Sequence, residues 1–353
     1  MRPLNITMCQ FDLPPGPGSG VAHQVSRLSG ALQHRGHNIT VLTTEPRSSQ
    51  LFEMRRLRVP SASLRHKSLR LLTTPLGFAL SSYARQDVVH CHGDSQLLWR
   101  SHVPIVRTFH GTARDESRYA LTAKRRISQA ALAPMEALAK RLATVTVGVS
   151  QSTGTTLGRL DLIIPCGVDH GQFFPGQKSP DPSVLFVGTV GGRKRGRLLV
   201  AEFAEVVRSS VSNAELWMVC PDPLPDNIRG VRWFRDLGDL HLATLFRQAW
   251  VFCLPSTYEG FGVPYIEALA SGTVVVATRN DGATEIFRES EAGTVVDDDK
   301  LGLTIVHLLS DERRRLAMQE HARVDSARYS WDVIATAYEE AYSLAMSRRL
   351  SER

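Results

Sequence analysis

Residues 251–277 read VFCLPSTYEGFGVPYIEALASGTVVVA. The stretch begins with an apolar run typical of a buried strand, breaks at the loop 259–262, and continues as a predicted helix that carries Glu267. A loop that leaves a parallel strand and opens a helix brings together unpaired N–H groups and the positive end of the helix dipole, where a phosphate can bind. Gly260 and Gly262 let the backbone come close to a ligand, because no Cβ stands in the way.

Two acidic residues lie in this stretch. Glu259 lies at the end of the predicted strand, and Glu267 lies one to two turns into the predicted helix. One carboxylate can then contact one part of an extended ligand while the other binds a pair of hydroxyls further along. The alternative is that both are ordinary solvated acids, which is the usual state of an isolated Asp or Glu.

The order of residues in 255–272 favours the first interpretation. It resembles the signature segment of glycosyltransferase family 4, PS-x-x-EGFG-x-x-x-x-EA-x-A-x-G, and every fixed position is matched. The enzymes of this family are retaining and take a nucleotide sugar as donor. The resemblance implies an α/β protein with the GT-B fold, in which two Rossmann-like domains face each other across a cleft. It also implies an activity that needs neither a metal nor another cofactor.

The composition is that of a soluble globular protein. The chain has 353 residues, of which 42% are apolar and 22% are charged, and this length suits two domains. No run of 18 or more apolar residues and no basic-then-apolar leader is present, so neither a spanning helix nor a secretory signal is expected. The five cysteines are scattered, which favours a reducing, cytoplasmic location without structural zinc.

The net charge of +7 fits an anionic substrate, an anionic membrane surface or a nucleic acid. No motif that reads nucleic acid is found, so we expect no nucleic-acid partner. Residues 47–70 are rich in arginine and contain a single acid, Glu53. Peripheral contact of this stretch with the inner face of an anionic membrane is one hypothesis. A solvated loop is the favoured interpretation, because no amphipathic helix of clear period spans it.

The apolar run 4–9 predicts the first strand, and a glycine-rich loop after it opens a helix. Gly16, Gly18 and Gly20 are spaced G-x-G-x-G rather than G-x-G-x-x-G, so a dehydrogenase is a weak alternative. The segment resembles the family's first glycine loop, in which Gly20 is one of two paired glycines and Ser19 replaces the other. A serine there is strained if the position requires a positive φ.

Two histidines follow predicted strands, and open parallel sheets bind ligands at the carboxyl ends of their strands. His110 ends the strand 105–110 and matches the family's T-x-H, so the resemblance implies that it contacts the transferred sugar. For His90 we favour a structural role.

Residues 184–187 predict a strand that runs into Gly188 and then into Arg193 and Lys194. Glycines and cations after a strand favour a diphosphate site, because glycine admits backbone N–H groups and the cations neutralise phosphates. The segment also resembles the family's FVGT-x-x-x-RKN, whose cations bind phosphate. We interpret Arg195 and Arg197 as surface charges.

Three consecutive acids, Asp297-Asp298-Asp299, raise the alternative of a metal-dependent glycosyltransferase of another fold. They follow a predicted strand and precede a predicted helix, so helix capping is the favoured interpretation. We therefore expect no metal site.

The resemblance covers nearly the whole chain and implies four segments. These are an acceptor-binding domain over residues 1–170, a linker over 171–183, a nucleotide-sugar-binding domain over 184–330, and a C-terminal helix over 331–353 that crosses back to the first domain. Cys166 replaces the asparagine that is usual in the family just before the first boundary.

The resemblance assigns roles to single residues. It assigns the ribose hydroxyls to Glu267, the diphosphate to Arg193 and Lys194, and the sugar ring to Glu259, with His110 on the opposite wall. The candidate catalytic residues are His110 and Glu259. The candidate donor-binding residues are Gly20, Gly188, Arg193, Lys194, Glu259, Gly260, Phe261, Gly262, Val263 and Glu267.

The implied reaction moves a hexosyl unit from a nucleotide diphosphate sugar to a hydroxyl of a small-molecule, lipid-linked or glycan acceptor. A UDP-sugar is favoured over a GDP-sugar. A phosphorylase or epimerase of the same fold is one alternative. A nucleotide-sugar-binding subunit without activity is another, which Ser19 and Cys166 keep open.

Overall fold

The computed structural model describes residues 2–14, 20–46, 51–99, 101–223 and 228–351. The chain forms two compact units. Unit 1 comprises residues 1–118, 123–167 and 331–353, and unit 2 comprises residues 119–122 and 168–330. Four residues on which the sequence predictions drew, Gly16, Gly18, Ser19 and Arg47, lie outside the described residues.

Unit 1 contains a seven-stranded parallel sheet in the order β3-β2-β1-β4-β5-β6-β7. The strands are β1 (Asn5–Cys9), β2 (Asn38–Thr43), β3 (Glu53–Arg56), β4 (Val88–Cys91), β5 (Ile105–Phe109), β6 (Val145–Gly148) and β7 (Leu162–Ile163). The helices are α1 (Gly20–His34), α2 (Ser61–Arg65), α3 (Lys67–Ala79), α4 (Ala113–Arg118), α5 (Ala123–Leu142) and α6 (Gln151–Leu157).

Apolar periodicity explains how these elements form. Ile6 and Met8 on β1 are fully buried, and they belong to the same core cluster as Val25, Leu28 and Leu32 on α1. The helix presents one apolar face to the sheet, and β4 and β5 are buried along their whole length, as is typical of parallel sheets covered on both faces.

Unit 2 contains a six-stranded parallel sheet in the order β10-β9-β8-β11-β12-β13. The strands are β8 (Ser183–Val187), β9 (Glu215–Val219), β10 (Val231–Phe234), β11 (Val251–Leu254), β12 (Val274–Thr278) and β13 (Gly293–Val296). The helices are α7 (Gly196–Glu202), α8 (Arg208–Ser210), α9 (Asp239–Gln248), α10 (Val263–Ala270), α11 (Asp281–Phe287), α12 (Leu301–Ser310) and α13 (Glu312–Ser326). A single π-helical turn, Phe203–Val207, joins α7 to α8.

Both sheets reverse their strand order at one place, between β1 and β4 in unit 1 and between β8 and β11 in unit 2. The loops that follow the strands diverge there, so the carboxyl ends of these strands form a crevice where Rossmann-like sheets bind ligands. The predicted α/β class, with two Rossmann-like halves, is confirmed.

The last helix, α14 (Trp331–Ser351), belongs to unit 1. It buries Ile334, Tyr338 and Tyr342 in the core cluster that β1 and α1 share. At its surface, Glu339 pairs with Arg35 at 2.8 Å, and its Oε1 lies 3.0 Å from His37 Nε2.

Two segments differ from simple expectations. Residues 53–56, which the sequence analysis interpreted as part of a solvated loop, form the edge strand β3 beside β2. Charged residues on an edge strand protect it against pairing with other chains, and they hide its strand character in the sequence. Residues 171–183 pack on unit 2, where Lys178 Nζ donates to Thr273 Oγ1 at 2.7 Å.

No helix in the described ranges combines the length and the apolar character that a membrane span requires.

We predict that Glu339→Gln weakens the attachment of α14. The Arg35 side chain donates to Glu339 and lowers the pKa of this carboxyl from 4.5 to about 2. A lowered folded-state pKa means that the stabilisation is complete above about pH 4.5 and is lost as the pH falls towards 2. Because Arg35 is partly exposed, solvent screens the pair, and we expect a loss of about 1 kcal/mol at pH 7.

Urea unfolding of the variant and the wild type at pH 7 and pH 3 measures this effect. The exposed neighbour Glu340→Gln serves as the matched control. A difference between wild type and Glu339→Gln that stays constant between the two pH values contradicts the assignment.

Candidate functional site

The crevice of unit 2 brings two predicted loops together. Gly188 directly follows β8, and the loop 255–262 follows β11, which pairs with β8. The two loops bind to each other, because the Thr257 amide donates to the Arg193 carbonyl at 2.9 Å. The loop 255–262 therefore lies beside the predicted phosphate-binding cations Arg193 and Lys194.

Three charged side chains form the centre of this crevice. Lys194 Nζ lies 2.7 Å from Glu259 Oε1, and Arg193 Nη1 lies 3.1 Å from Glu259 Oε2. The Arg193 guanidinium also donates to the Tyr258 carbonyl at 2.7 Å. The Glu259 side chain is 6% exposed and that of Lys194 is 16% exposed, whereas Arg193 is 33% exposed. A nearly buried carboxylate thus pairs with two cations, which leaves the group with one net positive charge, and Arg193 is the cation more accessible to solvent.

The pKa shifts follow from this arrangement. Burial alone raises the pKa of Glu259, but the charges of Lys194 and Arg193 outweigh burial and lower it. Burial lowers the pKa of Lys194, and the nearby Arg193 lowers it further, while Glu259 acts in the opposite direction. The carboxylate is therefore ionised at neutral pH, and it provides the charge that keeps the two cations compatible with burial.

The glycine loop has the conformation that its sequence predicts. Gly262 precedes α10 with φ of +101°, and a Cβ there would lie 2.3 Å from the ring of Tyr265. Val263 begins the helix, so its N-terminal amides point towards the loop. Phe261 is buried, while Gly260 and Glu267 are partly buried.

Arg195, interpreted from the sequence as a surface charge, is a structural residue. Its guanidinium donates to the Pro255 carbonyl at 2.6 Å and to Thr278 Oγ1 at 2.9 Å, and it forms a bidentate pair with Asp298. Its backbone is left-handed, with φ of +51°. The side chain thus connects the carboxyl ends of β11 and β12, and the surface interpretation is wrong.

Of the acidic residues 297–299, Asp297 and Asp298 form ion pairs rather than the predicted helix cap. Asp298 binds Arg195, and Asp297 precedes a 3-10 turn without a side-chain capping bond. Within the described parts of the chain, no three His, Cys, Asp or Glu side chains are grouped so that they could hold a metal ion.

The other predicted residues, His110 and Gly20, belong to unit 1. Gly20 begins α1 and is exposed, and a Cβ there would meet no atom within 4 Å. Sterics of the described residues therefore do not explain the glycine. His110 follows β5, and its Nε2 lies 3.0 Å from Nδ1 of His92.

His92 is a residue that the sequence analysis missed, although it ends the visible pattern His90-Cys91-His92. His90 lies in the core with both ring nitrogens bonded, one to Tyr342 Oη at 2.9 Å and one to Thr108 Oγ1 at 2.8 Å. The structural role predicted for His90 is confirmed.

Burial lowers the pKa of His110 to about 3, and the charge of Arg107 contributes to the shift, so the imidazole is neutral at physiological pH.

Comparison with known proteins identifies the family. The model of glycosyltransferase family 4 matches residues 18–172, and the model of glycosyl transferases group 1 matches residues 181–311. The chain belongs to glycosyltransferase family 4. This family 4 chain is 26% identical to phosphatidyl-myo-inositol mannosyltransferase of Mycobacterium tuberculosis, over 97% of the chain and 96% of the relative. It is 38% identical to D-inositol 3-phosphate glycosyltransferase of Corynebacterium urealyticum, over 32% of the chain and 28% of the relative.

Solved structures agree on the fold of this family 4 glycosyltransferase. Sucrose-phosphate synthase of Thermosynechococcus elongatus superposes with a TM-score of 0.78 at 20% identity, covering 98% of this chain and 99% of that one. The Anabaena protein HepE, in complex with UDP-glucose, superposes with a TM-score of 0.74 at 16% identity, covering 96% and 99%. The predicted GT-B fold is confirmed.

We predict that Gly262→Ala disrupts this loop. The alanine would have to adopt the positive φ of Gly262, and its Cβ would clash with the Tyr265 ring. We therefore expect the free energy of unfolding to fall by about 2 kcal/mol or more. Gly191→Ala is the matched control, because a Cβ there meets no atom within 4 Å. Thermal unfolding measures both, and equal midpoints for the two variants would contradict the role of Gly262.

Proposed function

We propose that the protein is a retaining glycosyltransferase that moves a hexosyl unit from a nucleotide diphosphate sugar to an acceptor hydroxyl without a metal. The observation that carries the proposal is the group of Glu259, Arg193 and Lys194 at the crevice of unit 2. Paired cations next to glycine loops at this position match the charge of a diphosphate. Family membership supports the same reaction class.

In this proposal the diphosphate of the donor contacts the same two cations that pair with Glu259. Arg193 is one-third exposed, so its guanidinium is accessible to phosphate oxygens while one N–H stays on the Tyr258 carbonyl. The amides at the start of α10 add hydrogen-bond donors near Gly262 and Val263. Glu267, the fifth residue of α10, binds the ribose hydroxyls, because a carboxylate accepts two hydrogen bonds at once.

The chemistry then needs charge stabilisation at the leaving group. The bond between the anomeric carbon and the phosphate oxygen breaks, and the electron pair leaves with the nucleoside diphosphate. The acceptor oxygen forms the new bond on the same face, and its proton passes to the departing phosphate oxygen. Arg193 and Lys194 stabilise the developing negative charge, which is the protein's largest contribution and which replaces a metal in this role.

His110 and Glu259 act on the transferred sugar in this proposal. The neutral imidazole of His110 offers one hydrogen bond to a sugar hydroxyl without adding a positive charge near the oxocarbenium-like centre. Glu259 contacts the sugar ring from the side of the cations.

A UDP-sugar is the favoured donor, and the UDP-glucose complex of the similarly folded HepE supports it. A GDP-sugar is the second candidate. Two relatives named for inositol acceptors support an acceptor that contains inositol, either as free inositol phosphate or within a phospholipid.

Arg55 and Arg56 on the exposed edge strand β3 support the hypothesis of peripheral contact with an anionic, cytoplasmic membrane surface. Co-sedimentation with vesicles that does not depend on anionic lipid would reject that contact.

We predict that replacing both cations abolishes donor binding. In Arg193→Gln with Lys194→Gln, the diphosphate loses two charge-assisted hydrogen bonds, so we expect UDP to bind roughly 100-fold more weakly or not at all. Arg197→Gln is the matched control, because Arg197 is exposed on the same loop and helix. Calorimetric titration with UDP measures the change.

Product analysis with a panel of donors separates this function from its rivals. A glycoside with retained anomeric configuration supports the proposal. Free sugar phosphate or a sugar isomer without acceptor product indicates a phosphorylase or epimerase instead. Unchanged UDP affinity in the double variant contradicts the assignment of the two cations.

A further inference from the structure

A second crevice in unit 1 contains a cavity of about 290 Å³ at the carboxyl ends of β4 and β5. The loop that begins at His92, the start of α4 and the helix α5 line it, together with the predicted catalytic residue His110. Its volume lies near the lower end of the range of small-molecule sites, so a group of the size of a single sugar or cyclitol fits.

The floor of this cavity holds an arginine whose charge lacks a close partner. Arg107 lies on β5, an interior strand of the sheet, and is 7% exposed. Its Nε and Nη1 are buried and have no hydrogen-bond partner among the described residues. Buried guanidinium groups normally form such bonds, because removing the charge from water is costly unless it is paired.

Other groups around the cavity do not supply that partner. Asp94 and Glu136 attract Arg107 electrostatically, but neither forms an ion pair with it. Glu136 Oε2 instead accepts from the Ala113 amide at 2.7 Å. Cζ of Arg107 lies 4.7 Å from the centroid of the Phe109 ring, on the face of that ring. The ring packs against the guanidinium but does not form hydrogen bonds with the Nε and Nη1 groups.

His92 adds another buried nitrogen that has no hydrogen-bond partner among the described residues. Its Nδ1 is bonded to His110, while its Nε2 is buried and has no hydrogen-bond partner among the described residues. Arg107, His92 and His110 all line the cavity. Three acids also line the cavity, of which Glu116 pairs with Arg125, so Asp94 and Glu136 are the two that can accept hydrogen bonds from hydroxyls.

We propose that Arg107 binds an anionic group of the acceptor, a phosphate or a carboxylate, and thereby sets acceptor specificity. The inference rests on the proposed function, since it treats the cavity beside His110 as the acceptor site. The guanidinium fork binds the two oxygens of the anion, and Asp94 and Glu136 accept from hydroxyls of the same molecule. The preferred acceptor is thus a polyhydroxylated ring that bears one anionic substituent.

Matched pairs of small molecules test this proposal. Calorimetry compares D-myo-inositol 3-phosphate with myo-inositol, and glucuronate with glucose, on the wild type and on Arg107→Gln. We expect the wild type to bind the anionic member of at least one pair about 10-fold more tightly, the typical effect of a charge-assisted contact. The two pairs separate phosphate from carboxylate as the anion.

Variants of Arg107 distinguish a role in anion binding from a purely structural role. Arg107→Gln should bind both members of the pair about equally, whereas Arg107→Lys, which keeps the charge without the fork, should keep part of the preference. The matched control is Arg141→Gln, because Arg141 is exposed on α5 and does not line the cavity. UDP binding by each variant, measured in parallel, reports on the separate donor site and on folding.

Two outcomes overturn the proposal. One is a wild type that binds both members of each pair equally, and the other is an Arg107→Gln protein that keeps the wild-type preference. If Arg107→Gln does not fold, the wild-type preference and Arg107→Lys still decide. Failure of the wild type to bind UDP counts against the proposed function, whereas the preference for the anion is measured without donor and is judged separately.

Discussion

The ionised Glu259 between Lys194 and Arg193 is the interaction on which the rest of the donor crevice depends. Two cations and a carboxylate can be removed from water together only if they pair closely, and the two loops at the reversal of the unit 2 sheet make this pairing possible. Gly262 allows the loop to turn into α10, and Arg195 fixes the ends of β11 and β12 beneath it. The strand order and the loop conformation together therefore position Glu259, Arg193 and Lys194 against one another.

The two units share a topology but differ in the chemistry at their crevices. In unit 2 the cations are satisfied by an internal carboxylate, which a diphosphate can share. In unit 1 burial lowers the pKa of His92 and His110, so both are neutral, and the buried Nε and Nη1 of Arg107 have no hydrogen-bond partner among the described residues. This difference agrees with the proposed division of labour, in which unit 2 holds the donor and unit 1 recognises the acceptor.

Sequence patterns predicted those parts in which one local rule decides the structure. Apolar runs predicted the central strands, and the family resemblance assigned residues around 193, 259 and 262 to one donor molecule. The structure brings these residues together because the loops after the neighbouring strands β8 and β11 share one edge of the sheet. Long-range pairing was not visible. Arg195 binds Asp298 across 103 residues, His92 is recognised only through its contact with His110, and the charged strand β3 shows no apolar alternation.

A crystal structure of the protein with UDP tests whether Arg193 and Lys194 bind the diphosphate. We expect oxygens of the diphosphate within hydrogen-bond distance of Arg193 and Lys194, with the ribose at Glu267. A diphosphate bound elsewhere, with both cations paired only with Glu259, would contradict this assignment.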